Sequence, residues 1–127
     1  MTLEQIIDKL KEHPDLALQV DGRIHPIGLP AGTPFPAITY EVIVGRQVTS
    51  KDGPRKLRTV TLRFTVWSEQ QTQGRTIASS AVLGRAMQWL RSVGAIHNAI
   101  PGAPSDDVFP DPFAWLTILT YVIWWKE

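Results

Sequence analysis

At 127 residues the chain has the length of one domain, large enough to bury a core without metals or disulfides. It contains no cysteine, which excludes a disulfide framework, a thiolate nucleophile and Cys-ligated zinc, and fits folding inside a cell. With 43% hydrophobic residues, 20% charged residues and a formal net charge of +1, neither wholesale disorder nor a global electrostatic pull on nucleic acid or membrane is expected.

The chain opens on Thr2-Leu3-Glu4-Gln5, a capping-box spelling in which Thr2 and Gln5 satisfy each other's backbone amides. Leu3, Ile6, Ile7 and Leu10 then recur at i, i+3, i+4 and i+7, so they share one helical stripe. Pro14 is expected to end this helix. No apolar run stands behind positive charge, so no signal peptide is expected.

Asp21-Gly22 reads as a turn, followed by the short Arg23-Ile24-His25 and by a segment holding Pro26, Pro30, Pro34 and Pro36. Proline fixes φ and lacks an amide hydrogen, and it pushes the preceding residue toward extended geometry. The segment is therefore an ordered, extended loop that loses little entropy on becoming fixed. From Ala37 to Val44, Ile38, Tyr40, Val42 and Val44 alternate with Thr39, Glu41 and Ile43, which predicts a strand.

Residues 46–58 centre on the turn Asp52-Gly53-Pro54. Beyond them Val60, Leu62, Phe64 and Val66 alternate with a threonine-rich set, a second strand pairing antiparallel with the first as a hairpin with a long arm. Ser68 is the expected cap of a long helix with Ile77, Ala78, Ala81, Val82, Ala86, Trp89, Leu90 and Val93 on its apolar stripe and Gly94 at its C-terminal end. Residues 98–113 read as a long acidic loop, and the chain closes on a strand from about Trp115 to Trp125. The apolar run Phe113 to Trp125 is too short to span a bilayer as a helix.

This order predicts a single α+β domain over residues 1–127: an antiparallel sheet of about four strands, two helices packed on one face, and a long charged β-hairpin arm. A further short strand near Ile24 or Ile96 would extend the sheet.

Residue patterns for chemistry are missing. His13, His25 and His97 fall in different segments without metal-ligand spacing, Ser79-Ser80 has no nucleophile elbow, and Gly28, Gly32 and Gly45 fit no phosphate loop. Asp106, Asp107 and Asp111 lack the calcium-loop spacing. No catalytic residue, cofactor or metal is expected.

Charge is segregated instead. Between residues 46 and 63 stand Arg46, Lys51, Arg55, Lys56, Arg58 and Arg63 against Asp52 alone, a net +5, whereas residues 1–21 carry five acids against Lys9 and Lys11, a net −3. Three readings stay open: a hairpin kept soluble by its cations, a nucleic-acid site without the usual interleaved aromatics, or a basic arm that meets the acidic part of a second copy. Trp124 and Trp125 are adjacent on a strand, so one faces the core and the other packs elsewhere or meets a partner.

The run Asp21-Gly22-Arg23-Ile24-His25-Pro26, Leu29-Pro30 and Pro34-Phe35-Pro36-Ala37-Ile38-Thr39-Tyr40 resembles the tail completion, or tail terminator, proteins of long-tailed bacteriophages. Val60 to Ser68 and Ala78 to Leu90 resemble the second strand and the following helix of that family. The sequence departs from the pattern at His25, where tyrosine is common, and in the proline-rich 98–113 loop. The resemblance implies a non-enzymatic virion protein at the head-tail junction, assembled in the host cytoplasm. It also implies a ring, hexameric in the virion, that caps the tail tube and contacts the tail tube protein and a head-neck connector protein. No membrane is implied and nucleic acid is not the expected partner. The alternative is a binding module that uses hairpin 46–63 on nucleic acid or protein. The contact residues expected are Arg46, Lys51, Arg55, Lys56, Arg58, Pro30, Pro34 and Trp125.

Overall fold

The computed structural model describes residues 2–49, 56–110 and 113–126. Helix α1 spans Leu3–Leu10 and opens on the expected capping box: the Thr2 hydroxyl accepts from the Gln5 amide at 3.2 Å, and the Gln5 side-chain oxygen accepts from the Thr2 amide at 2.8 Å. Its stripe Ile6, Ile7 and Leu10 is buried. Pro14 does not simply terminate it. Pro14 instead begins a second helix, α2 (Pro14–Val20), at the first-turn position where its fixed φ fits and its missing amide hydrogen has no intrahelical partner to lose. Asp21, in left-handed geometry with φ 48°, closes α2, and Gly22 continues the turn with φ 73°.

Six strands follow: β1 (Ile24–Pro26), β2 (Ala37–Thr49), β3 (Lys56–Ser68), β4 (Asn98–Pro101), β5 (Ser105–Pro110) and β6 (Phe113–Lys126). The sheet runs β1-β2-β3-β6, with β4 and β5 both lying along the far side of β6. The α+β class holds, with six strands in place of about four and with β1 parallel to β2. All other pairings are antiparallel.

The expected acidic loop at 98–113 resolves into β4 and β5. Both strands pair only with β6 among the described residues, and residues 101–110 are all exposed, so they form an edge with little apolar content to announce it. Gly102 joins them where a side chain has no room: a Cβ there would stand 2.5 Å from the Thr120 hydroxyl.

Between β3 and β4 the expected single helix is broken. Helix α3 (Gln71–Ala78) starts at Gln70 rather than Ser68, whose buried hydroxyl donates to the Gln70 carbonyl at 2.8 Å. At Ser79 the backbone becomes extended (ψ 172°), a π turn follows over Ser80–Gly84, and α4 (Arg85–Ser92) completes the layer. Ser79 is thus no ordinary mid-helix serine. Its hydroxyl accepts from the Ala81 amide at 3.2 Å and restarts the helix. The break lets two short stretches each turn an apolar face to the sheet. Gly94 (φ 78°) ends α4 as expected.

The core lies between the helices and one sheet face. Phe64, Leu62, Ile38, Ile123 and Trp125 from the sheet meet Leu10, Leu16, Ile77, Leu83 and Leu90 from the helices. Trp125, expected as a partner contact, is 1% exposed and belongs to this core; the neighbour that points away is the half-buried Trp124. Alternation along β6 settles the choice, because Leu119, Tyr121, Ile123 and Trp125 share the helix-covered face.

Candidate subunit-contact surface

Strands β2 and β3 pair from Ala37↔Trp67 through Thr49↔Lys56, and β6 flanks β3 as far as Leu57↔Lys126, so the hairpin stays part of the sheet over nearly all its described length and β2 is its exposed edge strand. Val42 pairs with Leu62 and Val44 with Thr61, leaving Ile43 without an opposite residue: a β-bulge. The extra residue exchanges the faces of β2. Val42 shares the helix-covered face of Leu62, while Val44 shares the outer face of Thr61. Val42, Ile43 and Val44 are 51%, 42% and 46% exposed, three consecutive apolar residues at the edge of the sheet.

That edge is open. Strand β1 covers β2 only from Ile38 to Tyr40, and from Glu41 onward no described strand lies on that side. The expected contact residues Lys51 and Arg55 lie outside the described residues. Arg46 is placed by register across from Thr59, Lys56 across from Thr49, and the exposed Arg58 lies opposite Gln47 and Trp125. Arg63 forms a cross-strand ion pair with Glu41 at 2.6 Å, both ends nearly half exposed, so it orders the base of the arm more than it stabilises the fold.

The proline segment connects two adjacent parallel strands in only ten residues, 27–36, a step that normally takes a helix. Rigid loop geometry replaces the helix. The Ile27 amide donates to the Tyr40 carbonyl at 2.8 Å, Arg23 Nε donates to the Pro36 carbonyl at 3.0 Å, and Thr33 closes a turn on the Pro30 carbonyl through both its amide and its hydroxyl. Pro30 and Pro34 are exposed on this loop, away from the arm. Ile27 sits at φ 66° with Gly28 donating back to Pro26 at 2.8 Å, a γ-turn geometry that a β-branched residue seldom adopts, and its side chain is 81% exposed.

Beside this loop the outer face of the sheet is aromatic. Trp67 stands between Phe35 (ring centroids 6.4 Å apart) and Phe109 (5.2 Å), and its indole nitrogen donates to the Thr39 hydroxyl at 3.1 Å. A groove of about 290 Å³ lies there, with Ile27, Glu41, Arg63 and Ile118 among its walls. Sequence alternation marks Trp67 as outward, but the Phe35-Trp67-Phe109 row joins residues 74 positions apart and only the fold assembles it.

The acidic residues of β5 divide their work. Asp106 is bound by Arg75 of α3, whose Nε donates to it at 3.0 Å and whose Nη2 also contacts it. The Arg75 guanidinium holds this carboxyl below its ordinary pKa. Asp107 is exposed on the opposite side of the strand. Of the histidines, His13 is buried with its ring 5.4 Å from Trp89, whereas His25 lies on β1 and His97 in the connection from α4 to β4; among the described residues no group of His, Asp or Glu is placed to hold a metal ion. No described helix is long and apolar enough to cross a membrane.

Residues 4–94 match the family model described as tail completion protein gp17. The matched stretch covers α1 through α4 with the arm and the proline segment, and it stops before β4, β5 and β6. Among solved structures, a chain described under "Virion of native gene transfer agent (GTA) particle" shares the fold with a TM-score of 0.51 at 11% identity, over 96% of this chain and 92% of that one. No curated protein matches the chain.

Proposed function

The chain belongs to the tail completion protein gp17 family, and from that membership we propose that it caps the head-proximal end of a phage tail tube, stops its growth and joins tail to head as a ring. It is a structural tail protein of the virion. Its working contacts in this reading are with further copies of itself, with the tail tube and with a connector on the head side, and it reaches the virion from the host cytoplasm.

The observation that carries the reading is the arm. A hairpin that carries a net +5 between residues 46 and 63 and presents three exposed apolar residues on an open edge is suited to reach another chain. The braced proline loop, with the strained and exposed Ile27, supplies a second stiff contact at little entropic cost.

Assembly of tails with and without the protein tests this. With it, tubes should end at fixed length and accept heads; without it, they should not. The double variant Arg55→Glu with Lys56→Glu should keep the fold, by circular dichroism, and lose joining. Unchanged tail length and infectious yield in that variant would remove the arm from the account. The same basic arm is what favours nucleic acid as the alternative partner, and tight, salt-sensitive DNA binding by the isolated protein would promote that reading instead.

A further inference from the structure

The sheet has two open edges, and they complement each other. On one side, β2 from Glu41 to Thr49 has no described strand on its edge away from β3 and exposes Val42, Ile43 and Val44. On the other, β4 and β5 pair only with β6 and expose Ile100 (51%), Val108 (44%) and Phe109 (38%). Natural proteins blunt open edges with proline, and β4-β5 carries Pro101, Pro104 and Pro110, yet Ser105 to Phe109 is free of it. The open stretch of β2 contains no proline at all.

Resting on the ring reading above, we propose that copies join head to tail by strand addition, with the free edge of β2 in one copy pairing antiparallel with the β4-β5 edge of the next. Two observations select this partner. The first is charge. The β2-β3 arm is strongly basic, while residues 98–110 contain Asp106 and Asp107 and no lysine or arginine. Pairing an arm with an arm, or an acidic edge with its like, sets equal charges together and is disfavoured. The mixed contact is the complementary one.

The second observation is strand direction. Strands β2, β3, β6 and β5 alternate in direction across the sheet, so β5 runs opposite to β2 within one copy. A rotation axis lying along the strands preserves these directions from copy to copy. The β5 of one copy then meets the β2 of the next antiparallel, the sense in which every pairing from β2 to β6 and onward to β4 and β5 is already made. Such a heterologous contact repeats until the rotation closes it into a ring. The bulge at Ile43 adds local twist where the two sheets join.

The absence of native cysteine makes the contact directly testable. Val42 and Val108 share the helix-covered face, so the register that sets them opposite each other brings them within the Cα separation of a disulfide across paired strands. A V42C copy mixed with a V108C copy should give a cross-linked dimer under mild oxidation. The V42C/V108C double variant by itself should give a ladder of covalent multimers, in solution or on assembled tails. Cross-linking of any single variant with itself would indicate a two-fold contact and overturn the proposal. Oligomers of the wild-type chain by native mass spectrometry without this cross-link would overturn the edge contact while leaving the ring intact. A chain that stays monomeric even on assembled tails would overturn both.

Discussion

Arg75 on α3 and Asp106 on β5, 31 residues apart, are joined by a hydrogen bond of 3.0 Å from Nε to Oδ2, with a further contact from Nη2. This ties the acidic edge strand back to the helical layer, so β5 is held from two directions: by the β6 backbone and by one guanidinium. The carboxyl is held below its ordinary pKa of 3.8 by that hydrogen bond.

The sign of its pH effect follows. A depressed folded-state pKa contributes stability that is present above the ordinary carboxylate range and is lost as pH falls through the lowered value. Asp106→Asn should therefore loosen β5 at neutral pH while leaving the rest folded. Hydrogen exchange of the amides of residues 105–109 should quicken in the variant. A carboxyl resonance of Asp106 titrating at its ordinary value would contradict the pairing.

Gly74 marks where α3 lies closest to the sheet. A Cβ there would stand 2.7 Å from the Ser68 hydroxyl and 2.8 Å from the Thr117 hydroxyl, and both residues are buried. Gly74→Ala gains about 1 kcal/mol of helix propensity, but overpacking of a buried contact costs about 1–3 kcal/mol. The variant should be less stable on balance. A denaturant midpoint equal to or above that of the wild type would show that α3 lifts off freely.

The two adjacent tryptophans should separate cleanly. Trp125→Ala empties a position 1% exposed and should cost about 3–5 kcal/mol. Trp124→Ala, half-buried on the outer face, should cost well under that and keep the fold. Urea melts of both variants decide the point; equal losses would mean that the outer face is as tightly packed as the core.

Both tyrosines should resist ionisation. Burial raises the pKa of Tyr121 above 10, and burial together with the charges of Glu4 and Asp8 raises that of Tyr40. A raised folded-state pKa contributes stability that is complete below pH 10 and is lost as pH rises through the raised values. Absorbance at alkaline pH should show both phenols titrating late, with unfolding close behind. A phenol that ionises at pH 10 in the intact fold would place it in solvent.

Much of this was legible from local patterns because those patterns are local physics. The capping box at Thr2, the alternation of β2 and β3, the Gly94 terminus and the basic arm each depend on residues within a few positions of one another. Pro14 misled because proline both ends a helix and begins one, and only the short turn at residues 11–13 decides which. The helix at 71–92 hid its break because Ser79 and Gly84 are tolerated in a continuous stripe, and it is the demand of both halves to cover the sheet that separates them.

By itself the amino-acid sequence determined the α+β class, the arm and its charge, the stiff approach to β2 and the membership of residues 4–94 in the family, since each rests on periodicity, proline geometry or a run of motifs. Tertiary structure alone decided that Trp125 turns inward and Trp124 outward, that residues 98–110 become the second open edge, and that Arg75 meets Asp106. Strand alternation names two faces without saying which one the helices will cover. An edge strand rich in proline and aspartate draws its order from the backbone of β6, a partner that no local pattern records.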